Sequence, residues 1–267
     1  MHPILFEVAG HPVFAFGTFL AIGFFLAYLY TGWRCRQLGI SDTHVLNIFI
    51  ILIVGGVSGS RLMAVALSPE HYPDLRSILM VTNGGMAFHG GLLVALGGGI
   101  LYLMATGLPV AQVLDRFGPA VPLAHASGRI GCFLFGCCFG LPCTLPWAIH
   151  MPPADPSGQW PLRHPTQLYE LVLLLILTWV LHKAIDLPHR AGLVMVYYGY
   201  GYPIVRFPLE FIRADHLGVE PHLAGLSMGQ LSCLGMAAIA GIVHWWLLRH
   251  PEAAAPAPGK RRRERAR

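Results

Sequence analysis

The sequence predicts an all-α integral membrane protein of about seven transmembrane helices, with a small extracytoplasmic head between the fourth and fifth. Three observations carry that expectation. Of the 267 residues, 55% are hydrophobic and only 12% charged, and the mean hydropathy is +0.57. A soluble domain carries about 25% charged residues, so this composition leaves too little polar surface to cover a water-exposed globule. The length accommodates roughly seven spans of about 20 residues with short connections. The apolar residues also fall into separated runs with polar or proline-rich breaks between them.

Taken in order, the spans are expected near 13–33, 45–67, 84–106, 117–139, 167–183, 192–212 and 226–248. The first ends against Arg34 and Arg36, and the second contains Arg61. The third opens in a glycine-rich stretch. The fourth is the weakest, because Pro119, Pro122, His125, Ser127 and Arg129 interrupt it. Pro165 suits the start of the fifth, with Thr166 as a cap. The sixth is broken by Pro203 and Pro208. Broken helices are tolerated in membranes where they line a cavity or are covered by protein. Residues 1–250 form the expected membrane domain and 251–267 a disordered basic cytoplasmic tail. No cleavable signal peptide is expected, since the first eleven residues lack a basic stretch and include Glu7.

Orientation follows the distribution of basic residues. One set of connections holds Arg34, Arg36, Arg116, Lys183, Arg190, Arg249 and the six basic residues of the tail. The other holds only Arg76, Arg163 and Arg213. The N-terminus is therefore expected outside and the C-terminus in the cytoplasm. The longest connection, 141–166, then lies outside, with Trp147 and Trp160 suited to a membrane interface. A basic tail directly after a span fixes topology or touches anionic lipid, which argues against a nucleic-acid partner.

Four groups of residues carry candidate chemistry. Gly84-Gly85-Met86-Ala87-Phe88-His89-Gly90-Gly91-Leu92 flanks one histidine with glycine pairs. Either the ring accepts a proton near neutral pH, or the glycines serve close helix packing. Gly128-Arg129-Ile130-Gly131 places a guanidinium at membrane depth, and Arg206 does the same in the sixth span. Intramembrane charge costs several kcal/mol unless it is met, and marks function by default. A guanidinium fork fits phosphate oxygens; the competing reading pairs these arginines with Glu170 and Glu210. Arg163-His164-Pro165-Thr166-Gln167-Leu168-Tyr169-Glu170 crowds polar groups at one boundary. Cys132, Cys137, Cys138 and Cys143 are clustered, but their gaps depart from zinc spacing, and adjacent cysteines are awkward tetrahedral ligands. Small buried residues are the expected reading, with a Cys138–Cys143 disulfide, a metal site, or a thiol or metal sensor as alternatives. Cys35 and Cys233 read as small buried hydrophobes.

Five stretches in order, namely 84–92, Gly128-Arg129-Ile130-Gly131 with Gly140, 163–170, Gly201-Tyr202 through Arg206 with Glu210-Phe211-Ile212-Arg213, and Ser227-Met228-Gly229-Gln230, resemble on this layout the prolipoprotein diacylglyceryl transferases over nearly the whole chain. The resemblance implies a seven-helix enzyme of the bacterial inner membrane. It would move the diacylglyceryl group of phosphatidylglycerol onto the thiol of a lipobox cysteine, forming a thioether and releasing glycerol 1-phosphate. It implies catalytic roles for His89, Arg129, Arg206 and Tyr202. Arg61, Gly140, His164, Gln167, Tyr169, Glu170 and Glu210, with the two arginines, would surround the lipid. No cofactor and no metal is assigned. The family's signature commonly reads Gly-Arg-x-Gly-Asn-Phe-x-Asn-x-Glu-x-x-Gly, whereas this chain has Cys132, Phe135 and Cys137 at its polar positions, and Phe16 stands where the family has a tyrosine. Two alternatives follow: a paralogue with another acceptor, and a non-catalytic phospholipid-binding or transport protein.

Overall fold

A computed structural model describes residues 1–8, 10–80, 85–153, 158–214, 222–223 and 225–250. Gly84 of the histidine stretch, and the basic tail, lie outside these residues. The architecture is all-helical, with three short hairpins and no closed sheet among the described residues. The chain divides into two compact units, 1–31 with 114–267, and 32–113.

The first unit opens with strands β1 (Ile4–Val8) and β2 (His11–Phe14), an antiparallel hairpin with Phe6 opposite Val13. Helix α1 (Ala15–Arg36) follows and continues into the second unit, where α2 (Asp42–Leu67), α3 (Leu75–Leu79) and α4 (Phe88–Ala105) lie. Helix α5 (Val110–Phe135) returns the chain to the first unit. Strands β3 (Ile149–His150) and β4 (Leu162–Arg163) pair antiparallel in the long connection. Then come α6 (Thr166–Ala184), α7 (Leu193–Glu210), the β5 (His222–Leu223) and β6 (Leu226–Ser227) hairpin, and α8 (Met228–Arg249).

Five helices, α1, α2, α4, α6 and α8, are long and apolar enough to cross a membrane. Phe25, Leu62, Leu93, Ile204 and Ile242 are each more than half exposed. Large apolar side chains facing outward on so many helices need an apolar surrounding. The chain is a multi-pass membrane protein. The remaining long helices, α5 and α7, each contain two prolines. Much of α5 is buried, including Val113, Phe117, Ala120 and Ala126. A helix surrounded by protein needs no continuous apolar face.

Three details differ from the sequence expectations. Neither pair of prolines breaks its helix: α5 runs through Pro119 and Pro122, and α7 through Pro203 and Pro208 to Glu210. Each proline removes one ladder bond, and burial among neighbouring helices sustains the rest. The fourth helix spans Val110–Phe135 and not 117–139. It starts directly after Pro109 and stops at Gly136, whose φ of +84° ends the ladder. Thr166 does not cap α6 with its side chain; its hydroxyl donates instead to the Cys138 carbonyl at 2.6 Å.

One buried acid organises the start of α7. Asp115 accepts hydrogen bonds from the Gly192, Val194 and Met195 amides at 2.7, 2.9 and 3.1 Å. These amides are orphan donors of a helix N-terminus, and a carboxylate there is favoured by both hydrogen bonding and the helix dipole. His189 Nε2 stands 3.4 Å from the same carboxylate. That contact raises the His189 pKa above its ordinary value, against the opposing effect of burial. Asp115→Ala is expected to destabilise the protein by roughly 3 kcal/mol, the worth of two or so charge-assisted hydrogen bonds, read as a fall in Tm in detergent. A histidine with a raised folded-state pKa stabilises fully below its unfolded pKa and loses that contribution as pH rises through the folded value. The wild-type protein should therefore lose Tm as pH rises above the ordinary histidine value of about 6.5, relative to a His189→Asn variant, whose Tm should vary less over the same range.

Candidate active site

The buried charged groups of the first unit gather on α5, α6 and α7. Arg129 Nη2 donates to Glu170 Oε1 at 2.9 Å and to His125 Nε2 at 2.9 Å. His125 stands one helical turn before Arg129, so both side chains share a face. A guanidinium only donates, so His125 Nε2 accepts and the ring proton is assigned to Nδ1. His125 Nε2 also lies 3.6 Å from Glu170 Oε1. Arg129 and Glu170 are 8% and 2% exposed. The buried Arg129 Nε has no hydrogen-bond partner among the described residues.

On α7 the same arrangement recurs within one helix. Arg206 pairs with Glu210 four residues on, because the helix continues past Pro208. Arg213 Nη1 lies 4.0 Å from Glu210 Oε2. Glu210 Oε1 accepts from Ser227 Oγ at 2.8 Å. Ser227 in turn caps α8, its hydroxyl accepting from the Gln230 amide while Gln230 Oε1 accepts from the Ser227 amide. Gly229 leaves room for the carboxylate, since a Cβ there would meet Glu210 Oε1 at 2.5 Å. Thus Ser227-Met228-Gly229-Gln230 is the seat of Glu210.

Tyr202 connects the two pairs. Its ring lies 5.4 Å from that of His125 and 6.0 Å from that of Tyr198, centroid to centroid. Arg129 and Arg206 both act electrostatically on Tyr202 and on His125. Three guanidinium groups, Arg129, Arg206 and Arg213, stand with two carboxylates, Glu170 and Glu210. The formal charge left over is one positive, which suits a monoanion such as a phosphodiester.

The loop after α5 closes this end of the unit. Gln167 Nε2 donates to the Cys137 carbonyl at 2.6 Å, and the Gly140 amide donates to the His164 carbonyl at 3.0 Å. A Cβ on Gly140 would meet His164 Cβ at 2.6 Å and Thr166 Cγ2 at 2.9 Å. Gly140 and Gln167 therefore hold the loop against α6. Gly131 is a second close approach, since a Cβ there would stand 2.9 Å from Phe16 Cα. His164 Nδ1 and Trp147 Nε1 both contact the Tyr169 hydroxyl, at 3.3 and 2.7 Å. All six cysteines are free thiols, with Cys35 and Cys233 buried, so no Cys138–Cys143 disulfide is present. Hydrogen bonds from the Cys132 and Cys137 thiols push the Cys138 thiol well below its usual range; burial opposes this, and Arg213 and Arg129 add to it.

Two expected site residues belong to the second unit. Arg61 is buried and donates to the carbonyls of Ile78, Gly85, Ser77 and Met80 at 2.9, 2.9, 2.6 and 2.8 Å, under the Tyr72 ring. It pins the segment between α2 and α4. His89 is exposed on the first turn of α4. The glycines beside it pack helices: a Cβ on Gly90 would meet Gly59 O at 2.4 Å, and one on Gly91 would meet Gly56 O at 2.6 Å. The packing reading of those glycines holds.

Sequence reasoning brought Arg129, Glu170, Arg206, Glu210 and Tyr202 to one place. It missed His125 and Ser227 as members. The spacing of four between His125 and Arg129 was a readable signal for the first. Ser227 approaches Glu210 only through the fold.

A family model described as prolipoprotein diacylglyceryl transferase matches residues 3–247. The phosphatidylglycerol–prolipoprotein diacylglyceryl transferase of Clostridium tetani is 33% identical over 227 residues, covering 82% of this chain and 88% of its own. The enzyme of that name from Bordetella bronchiseptica is 32% identical over 261 residues, covering 93% and 96%. The one from Methylococcus capsulatus is 37% identical over 191 residues, covering 69% of each. With a match over nearly its whole length and relatives of this similarity, the chain belongs to the prolipoprotein diacylglyceryl transferase family.

Proposed function

We propose that this chain transfers the diacylglyceryl group of phosphatidylglycerol to the thiol of a lipobox cysteine in a prolipoprotein. A carbon–sulfur bond forms as the carbon–oxygen bond to phosphate breaks. The electron pair leaves with glycerol 1-phosphate, and the thiol proton passes to a base. One observation carries the reading: two buried Arg–Glu pairs stand about Tyr202, Arg213 beside Glu210 leaves one positive charge in surplus, and a buried Arg129 Nε is left to donate. Ion pairing and phosphate binding are compatible here, because a guanidinium has five donors and the carboxylates orient it. Arg129 and Arg206 hold the phosphate and stabilise charge developing on it. Tyr202 lies beside the reacting lipid, and His125 acts as a positioning residue, since its lone pair faces Arg129. His89 is assigned the thiol proton or the placing of the acceptor. Gly140, His164, Gln167 and Tyr169 shape the head-group end, and Arg61 orders the segment preceding His89.

The reading places seven helices across the bacterial inner membrane. α5 and α7, 26 and 18 residues long, extend about 39 and 27 Å at 1.5 Å per residue, enough to join the five apolar helices. The N-terminus lies outside, the 141–166 connection forms a small outer head, and the C-terminal tail is cytoplasmic, as the bias of basic residues supports.

Complementation tests the activity. Expression should restore growth and lipoprotein diacylation in a bacterial strain depleted of its own diacylglyceryl transferase. Membrane-inserted protein that leaves the prolipoprotein unmodified would overturn the acceptor assignment. Gly229→Ala should lower transfer by about 10–100-fold, because it displaces Glu210 and through it Arg206; an unchanged rate in membranes of matched protein content would contradict the linkage.

A further inference from the structure

Three sulfurs meet where α5 ends. The Sγ atoms of Cys132, Cys137 and Cys138 lie within 4.8 Å of one another. Cys132 is buried and the other two are half-buried. Adjacent cysteines ordinarily point apart. Here Gly136 and Cys138 have φ of +84° and +62°, and the reversal brings both later thiols back toward the first. A non-glycine residue in the left-handed region is strained by its Cβ, so other contacts must hold the turn. The Gly136 and Cys137 amides donate to the Cys132 carbonyl at 2.9 and 3.2 Å. Gln167 Nε2 and Thr166 Oγ1 donate to the Cys137 and Cys138 carbonyls, both at 2.6 Å. The carbonyls of all three cysteines are thereby fixed, and the sulfurs are preorganised in the manner of metal ligands held by outer contacts. The transfer chemistry has no use for three thiols.

We propose that Cys132, Cys137 and Cys138 form a three-thiolate site for a soft monovalent cation, Cu(I). Thiolates select Cu(I), zinc and iron–sulfur clusters over harder ions. Structural zinc takes four ligands, whereas among the described residues this group comprises three, with no histidine or acid joining it. Three sulfurs satisfy a trigonal Cu(I) ion and leave zinc one ligand short. On binding, three copper–sulfur bonds form, the thiol protons pass to solvent, and copper keeps its oxidation state. Arg213 and Arg129, which act electrostatically on Cys138, offset the negative charge of the thiolates. If Arg129 also holds the lipid phosphate, as proposed above, the loaded protein turns over more slowly; the binding itself does not depend on that reading.

The test is a titration of full-length protein, purified without oxygen in detergent, with Cu(I) supplied as its acetonitrile complex against a Cu(I)-specific chelator. One Cu(I) per chain is expected, with a sulfur-only, three-coordinate shell by X-ray absorption. Cys137→Ser should lose affinity by about 10-fold or more. Cys138→Asn should lose it equally, and asparagine tolerates the left-handed backbone, so an unchanged Tm separates ligand loss from misfolding. Equal affinity in wild type and both variants would overturn the site. So would a shell containing nitrogen or oxygen, preferential uptake of zinc at equal concentration, or a disulfide among these residues that excludes the metal.

Discussion

Arg129→Gln should lower diacylglyceryl transfer by about 10²–10³-fold, the usual cost of removing one donor aimed at developing charge. It should also destabilise the protein by roughly 3–5 kcal/mol, because Glu170 would be left buried without its partner. The two effects separate in a double variant. Arg129→Gln with Glu170→Gln replaces the ion pair by two amides that can bond each other, so Tm should return most of the way to wild type. Activity should not return, since the second substitution restores no cation. Recovery of transfer in the double variant would show that Arg129 serves only to neutralise Glu170. The measurements are Tm in detergent and the initial rate of peptide diacylation at fixed phosphatidylglycerol.

Arg206→Gln should cause a loss of similar size, about 10²–10³-fold, but Arg206→Lys is the more informative change. Lysine keeps the charge beside Glu210 and loses the planar fork that grips two phosphate oxygens. A fall of about 10-fold or more in Arg206→Lys, at unchanged Tm, would mean that geometry matters beyond charge. Wild-type activity in Arg206→Lys would reduce the residue to a point charge. The position depends on the helix running through Pro208, which places Glu210 one turn from Arg206, and on Ser227, which holds the carboxylate from the other side at 2.8 Å.

Much of this was legible in the sequence because membrane burial leaves few polar residues to choose among. The five most apolar runs appear as helices near their expected positions. Arg129 and Arg206 stood out as charges in apolar surroundings, and Glu170 and Glu210 as their available partners; the structure pairs them so. Proline misled in α5 and α7, because the sequence does not show which neighbours cover a helix that has lost a ladder bond. Arg61 looked like the other two arginines, but its partners are backbone carbonyls, and main-chain acceptors leave no trace in side-chain pattern. The cysteine gaps argued against a shared ligand because they assume ordinary backbone. The positive φ at Cys138 removes that assumption, and nothing about a cysteine announces such a conformation. Asp115 was overlooked for a similar reason: the amides it caps lie more than 70 positions away in the chain, at the start of α7.

The central claim, that the paired arginines serve a phospholipid transferase, is tested most directly with purified protein in nanodiscs containing phosphatidylglycerol labelled in its head-group glycerol. Addition of a lipobox peptide should release labelled glycerol 1-phosphate in one-to-one proportion with diacylated peptide, and neither product should form when the lipobox cysteine is replaced by serine. Retention of labelled lipid by the protein, with no glycerol phosphate released on adding the peptide, would contradict it.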